Sequence, residues 1–193
     1  MSNLPSYPIY TKRLILRPFQ EPDLDDLYEM RSQAEVVRYL YWDVQTRVQT
    51  KEALDIKMTL TQFQKEGDTI ALAVVQAESG RVIGEVSLYW HSEHHQQGEV
   101  GFIFNPAFQG KGYASEATEA MLGLGFDVYK LHRIIGRCDV RNIGSYKLME
   151  RLGMRREAYF IHNEIFKGEW GDEFVYAILH DEWRTQHDKE ASL

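Results

Sequence analysis

The chain has 193 residues, of which 44% are hydrophobic and 26% charged, and its formal net charge is −7. This length fits a single domain, and the acidic balance is a poor match to nucleic acid, whose binders carry basic patches. No apolar run approaches the roughly 18 residues that span a membrane, and residues 1–8 lack the features of a signal peptide. The lone Cys138 excludes an internal disulfide framework. We therefore expect a cytoplasmic protein.

The first third of the chain predicts one strand and two helices. Residues 13–17 form the strand, which Pro18 ends. Asp23 can cap the first helix, which has apolar residues at helical spacing. The second helix is predicted over 50–65, with Gly67 beyond its end.

The rest of the chain predicts an antiparallel meander followed by a β–α–β unit. The meander strands are 69–76, 82–90 and 99–104, and they are followed by a helix over 114–129, a strand over 133–140, a helix over 145–152 and strands over 155–162 and 173–179. The unit from Glu99 to Val140 should be a parallel, right-handed crossover. This order indicates an α/β fold whose sheet is mixed and mostly antiparallel, with helices on both faces.

A glycine-rich turn in the segment 104–116 joins a predicted strand to a predicted helix. Gly110 and Gly112 lack Cβ, so a phosphate can approach the backbone, where free N–H groups and the helix dipole favour an anion. Lys111 is followed by Gly112 instead of Ser or Thr, which excludes a Walker A loop. Ser115 stands where a Rossmann fingerprint needs its third glycine. A pyrophosphate site is therefore predicted, with a ligand-free helix start as the alternative.

Several segments, in the right order, resemble the GNAT superfamily of N-acetyltransferases. Gln109-x-x-Gly112-x-Ala114 resembles its Q/R-x-x-G-x-G/A acetyl-CoA motif, and the segment 99–102 resembles its fourth strand. The segment 139–154 resembles its N-x-x-S…L/M-E-K/R-L-G-F stretch. The segments 14–18 and 172–177 resemble the ends of the branch that contains the Rim-type ribosomal-protein N-terminal acetyltransferases. The likeness covers about 10–182, and we take 1–193 as a single acetyltransferase domain.

The resemblance implies a sheet that is split into a V between its fourth and fifth strands, with the pantetheine of acetyl-CoA in the gap. Gly101, inside a strand, independently suggests a bulge or a close backbone approach. By the family pattern, backbone N–H groups of the glycine-rich turn hold the pyrophosphate, while strand backbone and an asparagine amide hold pantetheine. The residues so assigned to acetyl-CoA are Ile103, Phe104, Gln109, Gly110, Lys111, Gly112, Tyr113, Ala114 and Asn142. No metal is expected.

The implied reaction is direct attack of a neutral amine on the acetyl thioester, which needs a base and a proton for the leaving thiolate. Glu99 is the first candidate base, because superfamily members place a catalytic glutamate on this strand. Glu164 is the second, because Rim-type enzymes place an acidic residue in a similar late position. Met149 occupies the position of the usual Tyr acid, so Ser145 is the candidate acid, with a helix N-cap as its alternative role.

The acceptor stays open between several amines. A protein or peptide N-terminal amine leads, because its pKa of about 7.7–8.0 leaves it partly neutral at pH 7. A small polyamine or an aminoglycoside-like amine comes next, and a non-catalytic CoA-binding sensor module is a further alternative. No nucleic-acid or membrane partner is expected, and a homodimer is left open.

Several residues are assigned no function. The histidines between 91 and 97 have no nearby Cys or paired carboxylate, which favours a solvated loop over a metal site. Cys138, in the middle of a predicted strand, is interpreted as a small core residue. Tyr146 is interpreted as a surface residue.

Overall fold

The computed structural model describes residues 5–190, and its strands form one eight-stranded sheet. The strands are β1 (Ile9–Tyr10), β2 (Leu14–Pro18), β3 (Thr69–Gln76), β4 (Val82–Ser92), β5 (Gln97–Phe104), β6 (Arg133–Asp139), β7 (Arg155–Phe166) and β8 (Glu169–Leu179). Their order across the sheet is β1-β2-β3-β4-β5-β6-β8-β7. Only β5 and β6 are parallel neighbours, and the other pairs in the described residues are antiparallel. The predicted mixed, mostly antiparallel sheet is confirmed.

Six α-helices are present in the described part of the chain. They are α1 (Leu24–Arg31), α2 (Ala34–Val37), α3 (Arg47–Lys57), α4 (Tyr113–Gly123), α5 (Ile143–Arg151) and α6 (His180–Glu190), and a π-helical turn, Leu124–Val128, continues α4. Between residues 5 and 190, no helix combines the length and the apolar character that crossing a bilayer requires.

The predicted helix over 50–65 is wrong at both ends. Thr46 caps α3, because its hydroxyl oxygen accepts the Gln49 N–H while the Gln49 side chain accepts the Thr46 N–H. The helix ends at Lys57, and the Thr59 hydroxyl donates to the Ile56 carbonyl at 2.7 Å. Side chains of this kind compete with helical hydrogen bonds, so the chain leaves the helix well before Gly67.

Helices cover both faces of the sheet. Alternate residues of β3 point to opposite sides, so that Leu72 and Val74 join a large core and Ala73 and Val75 join a smaller one. The large core contains residues of α4, α5 and α6, and the smaller core contains residues of α1 and α3. The smaller core lies on the same face of the sheet as the candidate active site described below.

The sheet is split between β5 and β6. These strands pair only at Gln97↔Arg133, Gly98↔Ile134 and Glu99↔Ile135. Beyond Glu99, residues 100–104 and 136–139 have no partner across this boundary. The predicted V-shaped split is confirmed, although the two strands are the fifth and sixth of the chain because the short β1 was not predicted.

Candidate active site

The loop that follows β5 forms a nest of backbone N–H groups at the start of α4. Gly110 and Gly112 have φ values of 74° and 80°, and a Cβ built at Gly110 would meet nothing within 4 Å. Gly112 is the N-cap and offers no side-chain hydrogen bond, and the first intrahelical bond runs from the Glu116 N–H to the Gly112 carbonyl at 3.1 Å. The N–H groups of the first helical residues therefore have no intrahelical acceptor and face an open approach, which suits a phosphate.

Arg13 braces this loop from the edge of β2. Its Nη1 donates to the Lys111 carbonyl at 2.8 Å, and its Nε donates to Glu116 Oε2 at 2.7 Å. The guanidinium also lies over the Tyr113 ring, 4.5 Å from its centroid. Burial would raise the pKa of Glu116, but hydrogen bonds from Thr11 and Arg13 outweigh it and lower that pKa. The brace joins segments about a hundred residues apart, so no local sequence pattern indicates it.

The wall of the gap is formed by the free edge of β5. The Asn105 N–H donates to the Ile83 carbonyl of β4 at 3.0 Å. In an antiparallel pair, the N–H and C=O groups of successive residues point alternately towards the partner strand and away from it. The N–H and C=O of Ile103 therefore point towards β4, and those of Phe104 point towards the gap. Gln109 Nε2 donates to the Phe104 carbonyl at 3.3 Å. Of the two strand residues assigned to pantetheine, Phe104 thus presents its backbone to the gap, whereas Ile103 packs its side chain on the smaller core.

Asn142 and Ser145 lie at the start of α5. Asn142 is the N-cap, and its Oδ1 accepts the Ser145 N–H at 3.2 Å, so the alternative interpretation of Ser145 as the cap is wrong. Asn142 Nδ2 donates to no group in the described residues. Burial raises the pKa of the Cys138 thiol to about 11, and a hydrogen bond with Ser145 opposes that rise. Cys138 is buried, in keeping with its interpretation as a core residue.

Two other residues of α5 are packed inwards. Met149 is 1% exposed, and a Cβ built at Gly136 would lie 2.5 Å from its sulfur, so Met149 fills the space beside a bare glycine of β6. Tyr146 is half-buried, with its ring edge-on to Phe174 at 5.8 Å between centroids. The interpretation of Tyr146 as a surface residue is wrong.

A cavity of about 100 Å³ lies beside the closed end of the gap. Its walls come from β5, β6, β7, β8 and the loop between α2 and α3, and the lining residues are Tyr39, Tyr41, Glu99, Arg137, Cys138, Asp139, Glu164, Phe166, Gly171, Asp172 and Glu173. The structure therefore brings together Glu99 and Glu164, the two candidate bases. Glu173, Arg137 and Tyr41 also line the cavity and were not predicted as site residues.

Glu99 is held on both sides. Its Oε2 lies 2.7 Å from His91 Nε2, and both of its oxygens lie 3.2 Å from Arg137 Nε. His91 therefore does not belong to a solvated loop; it lies on β4, which extends to Ser92. Burial would lower the pKa of Arg137, but Glu99 and Glu173 outweigh it and raise that pKa. Arg137 is therefore a fixed positive charge between two carboxylates.

Glu164 and Glu173 stand on neighbouring strands. Glu164 Oε1 accepts the Tyr41 hydroxyl at 2.5 Å, and burial, followed by this bond, raises the pKa of Tyr41 to about 12. Glu173 is 8% exposed, its Oε2 accepts Asn163 Nδ2 at 3.1 Å, and its Oε1 lies 4.0 Å from Arg137 Nη1. Burial raises the pKa of Glu173, Glu164 and Glu99 add to the rise, and Arg137 opposes it.

The remaining carboxylates of the cavity wall are already paired. Asp139 binds Arg141 at 2.6 Å, and Asp172 accepts the Tyr159 hydroxyl at 2.6 Å and the His162 N–H at 2.9 Å. Three further carboxylates, those of Glu99, Glu164 and Glu173, line the cavity, and Arg137 is the one lysine or arginine among the lining residues. The pocket is acidic and suits a positively charged ligand.

A nest of free backbone N–H groups at the open end of a split sheet, with an acidic pocket beside its closed end, is an arrangement that fits an acyltransferase. The chain belongs to the acetyltransferase (GNAT) domain family, whose model matches residues 13–155. It is an acetyl-CoA-dependent N-acetyltransferase, and the GNAT resemblance is confirmed.

Individual relatives agree with this membership. The chain is 40% identical over 177 residues to the "Uncharacterized N-acetyltransferase YnaD" of Bacillus subtilis, covering 91% of this chain and 98% of the relative. A GNAT-family acetyltransferase structure from Bacillus anthracis is 35% identical, with a TM-score of 0.83 over 91% of this chain and all of the other. The spermidine N(1)-acetyltransferase of Escherichia coli is 25% identical over 172 residues, 89% of either chain. These relatives do not single out the Rim-type branch.

Proposed function

We propose that the chain acetylates a primary amine that enters the acidic pocket as a cation. The observation that carries this proposal is the placement of the two binding features at opposite ends of one gap. Glu99 is the last residue of β5 that pairs with β6, and the glycine-rich nest follows the free end of the same strand. A cofactor stretched along the unpaired edge would place its phosphates at the nest and its thioester beside the carboxylates.

The nest residues Gln109, Gly110, Lys111, Gly112, Tyr113 and Ala114 form the pyrophosphate site in this proposal. The free N–H groups and the positive end of α4 attract the anion, and the exposed Lys111 adds a cation beside it. The gap-facing backbone of Phe104 and the free Nδ2 of Asn142 bind pantetheine from its two sides. Both glycines fit this ligand: a Cβ at Gly110 would project into the open approach, and one at Gly112 would lie 3.4 Å from Arg13 Nη2.

Acetyl-CoA supplies an activated acetyl group when it is bound. The chain must then hold the acceptor ammonium, remove one proton from it, and provide a proton for the departing thiolate. The carboxylates of Glu99, Glu164 and Glu173 serve the first two needs. The Ser145 hydroxyl, beside Cys138 at the start of α5, serves the third.

Two acceptor classes fit the pocket, and its charge favours the small polyamine. A peptide N-terminal amine brings one positive charge, whereas a polyamine brings two or more, and three carboxylates facing one guanidinium leave an excess of negative charge. The relative that acts on spermidine also supports a polyamine. The peptide N-terminus is the second candidate, because its α-amine needs little deprotonation at pH 7.

A calorimetric titration with acetyl-CoA tests the cofactor site. Wild type should bind, and Gly112→Glu should abolish binding, since the new carboxylate fills and repels the nest. Gly168→Glu is the matched control, because Gly168 shares the positive φ, 85° against 80°, but lies in open space in the turn between β7 and β8. Equal binding by wild type and Gly112→Glu would remove the nest from the proposal.

The acceptor is tested in the same preparation by thiol release from acetyl-CoA. Spermidine should release CoA faster than a peptide with a free N-terminus, and N-acetylated forms of both should be inert. Faster turnover of the peptide would reverse the order of the two candidates. No acceptor-dependent release with any amine, despite acetyl-CoA binding, would point to the non-catalytic sensor module.

A further inference from the structure

The three pocket carboxylates differ in how many of their oxygens are already hydrogen-bonded. Both oxygens of Glu99 are engaged by Arg137, and one is also engaged by His91. Glu164 accepts the Tyr41 hydroxyl with Oε1, and its Oε2 accepts no hydrogen bond from the described residues. Glu173 uses Oε2 for the Asn163 amide, and its Oε1 accepts no hydrogen bond from the described residues, with Arg137 Nη1 4.0 Å away. Glu173 and Glu164 therefore each have an oxygen that is free to take a proton from a ligand, and of the two only Glu173 is buried.

The surroundings of Glu173 strengthen it as a base. Its side chain is 11% exposed, compared with 21% for Glu99. The charged or titratable groups around it are Arg137, Cys138 and Asp139 on β6, Glu164 on β7, Glu99 on β5 and Tyr41 on the loop after α2. Burial raises the pKa of Glu173, and the two glutamates add to the rise against the opposition of Arg137. A carboxylate whose pKa is raised towards neutrality accepts a proton more readily, as general bases of enzymes do.

We propose that Glu173 is the catalytic base of the acetyl transfer, a role that rests on the proposed function. Its Oε1 removes one proton from the bound ammonium, which becomes a neutral amine. The amine nitrogen then forms a bond to the acetyl carbon while the carbon–sulfur bond breaks. Ser145 or a water molecule gives a proton to the departing thiolate and takes up in return the extra proton that the new amide nitrogen loses, and Glu173 returns its own proton to solvent.

In this assignment Glu99 is a positioning residue. His91 and Arg137 fix its carboxylate, so it holds a positive group of the acceptor in a defined place. Glu164, bonded to Tyr41, closes the opposite wall. The two carboxylates that the sequence offered as bases thus orient the substrate, and the buried one between them performs the proton transfer.

The test compares Glu173→Gln with wild type on the amine that the acceptor panel identifies. The variant should lose about 100-fold or more of kcat, within the range that general bases contribute. Its kcat/KM should rise with pH up to the pKa of the amine itself, because only amine that is already neutral can react. In wild type, activity should fall only as the pH drops through the raised pKa of Glu173. Glu169→Gln is the control on the same strand, with a side chain that is 80% exposed.

A fluorinated analogue of that acceptor separates base catalysis from binding. Fluorine next to the amine lowers the amine pKa, so the analogue is largely neutral at pH 7 and needs no base. Glu173→Gln should recover most of the wild-type rate with the analogue. An equal loss with both acceptors would overturn the proposal, as would selective recovery in Glu99→Gln or Glu164→Gln instead.

Folding and the proposed function are checked separately. Because burial raises the pKa of Glu173 above its value in the unfolded chain, the ionised carboxylate destabilises the fold at neutral pH. Glu173→Gln should therefore unfold at the same temperature as wild type or at a higher one, so its loss of activity is not a loss of structure. If wild type itself transfers acetyl to no amine, the proposed function fails. If wild type is active and Glu173→Gln matches it, only the assignment of the base fails.

Discussion

Asn142 combines a structural and a binding role in one side chain. Its Oδ1 caps α5 through the Ser145 N–H, while its Nδ2 stays free beside the gap. Asn142→Ser should keep the cap, since serine is also a strong N-cap residue, but lose the amide. Asn142→Ala should lose both. We expect both variants to weaken acetyl-CoA binding by about 2- to 10-fold, the usual contribution of one hydrogen bond.

Thermal unfolding distinguishes the two roles of Asn142. Asn142→Ala should lose about 1 kcal/mol of stability, the typical cost of removing a cap, while Asn142→Ser should unfold close to wild type. Calorimetry gives the affinity and a melting curve gives the stability. Unchanged acetyl-CoA affinity in both variants would show that the amide does not bind pantetheine.

Glu173 and Arg137 were not predicted as site residues, because their place in the cavity depends on how their strands pair with other strands. Glu99 and Glu164 were found through resemblance to family segments. Glu173 was seen only as part of a strand end, because Glu173 and Arg137 acquire their meaning when β6 and β8 pair. One signal was available: Arg137 and Asp139 alternate along a predicted strand, which places both on one face of the sheet.

At the scale of elements, the loop 38–46 is held over the pocket by the turn between β7 and β8. Lys167 Nζ donates to the Val37 carbonyl at 2.9 Å and lies 3.0 Å from Asp43 Oδ1. The Tyr39 hydroxyl donates to the Arg141 carbonyl at 3.2 Å, and Tyr41 reaches Glu164. These bonds tie segments more than a hundred residues apart into one wall of the pocket.

Lys167→Met should loosen this wall without touching the cofactor site. We expect the acceptor KM to rise several-fold, because binding must then order the loop, at a cost of about 0.5–1.5 kcal/mol per immobilised side chain. The acetyl-CoA affinity should not change. Lys130→Met is the control, because Lys130 is exposed and shares the positive φ of Lys167, 55° against 50°. A rise in the acetyl-CoA Kd, with the acceptor KM unchanged, would contradict this role for the loop.

The strand β3 was predicted more closely than the helix α3, for a physical reason. The strand predicted over 69–76 matches β3, because alternating burial and bounding turns mark both of its ends. The helix predicted over 50–65 ran too far, since apolar residues at helical spacing continue in the sequence beyond Lys57. The helix α6 was missed because it is strongly polar. Its Trp183 contacts Phe126 of the large core, a tertiary anchor that local patterns do not reveal.

At the scale of the whole molecule, the sheet is continuous across the split through only three residue pairs. The proposed cofactor residues lie on both sides, with the nest after β5 and Asn142 after β6. Acetyl-CoA would therefore bridge two halves of one sheet. At 100 times its Kd, a ligand that binds only the folded state adds about 2.7 kcal/mol of stability, or roughly 5–10 °C in Tm for a domain of this size.

A melting curve with saturating acetyl-CoA, followed by hydrogen exchange, tests this bridging. Wild type should gain the rise in Tm, while Gly112→Glu should gain none and should start lower, because a non-glycine residue at a φ of 80° costs about 1–2 kcal/mol. The exchange data decide where the stability arises. If acetyl-CoA spans the gap, amides of 100–104 and of 136–139 should both gain protection. Protection confined to 110–115 would mean that only the phosphates are bound by the chain, and that the two halves of the sheet are held together without the ligand.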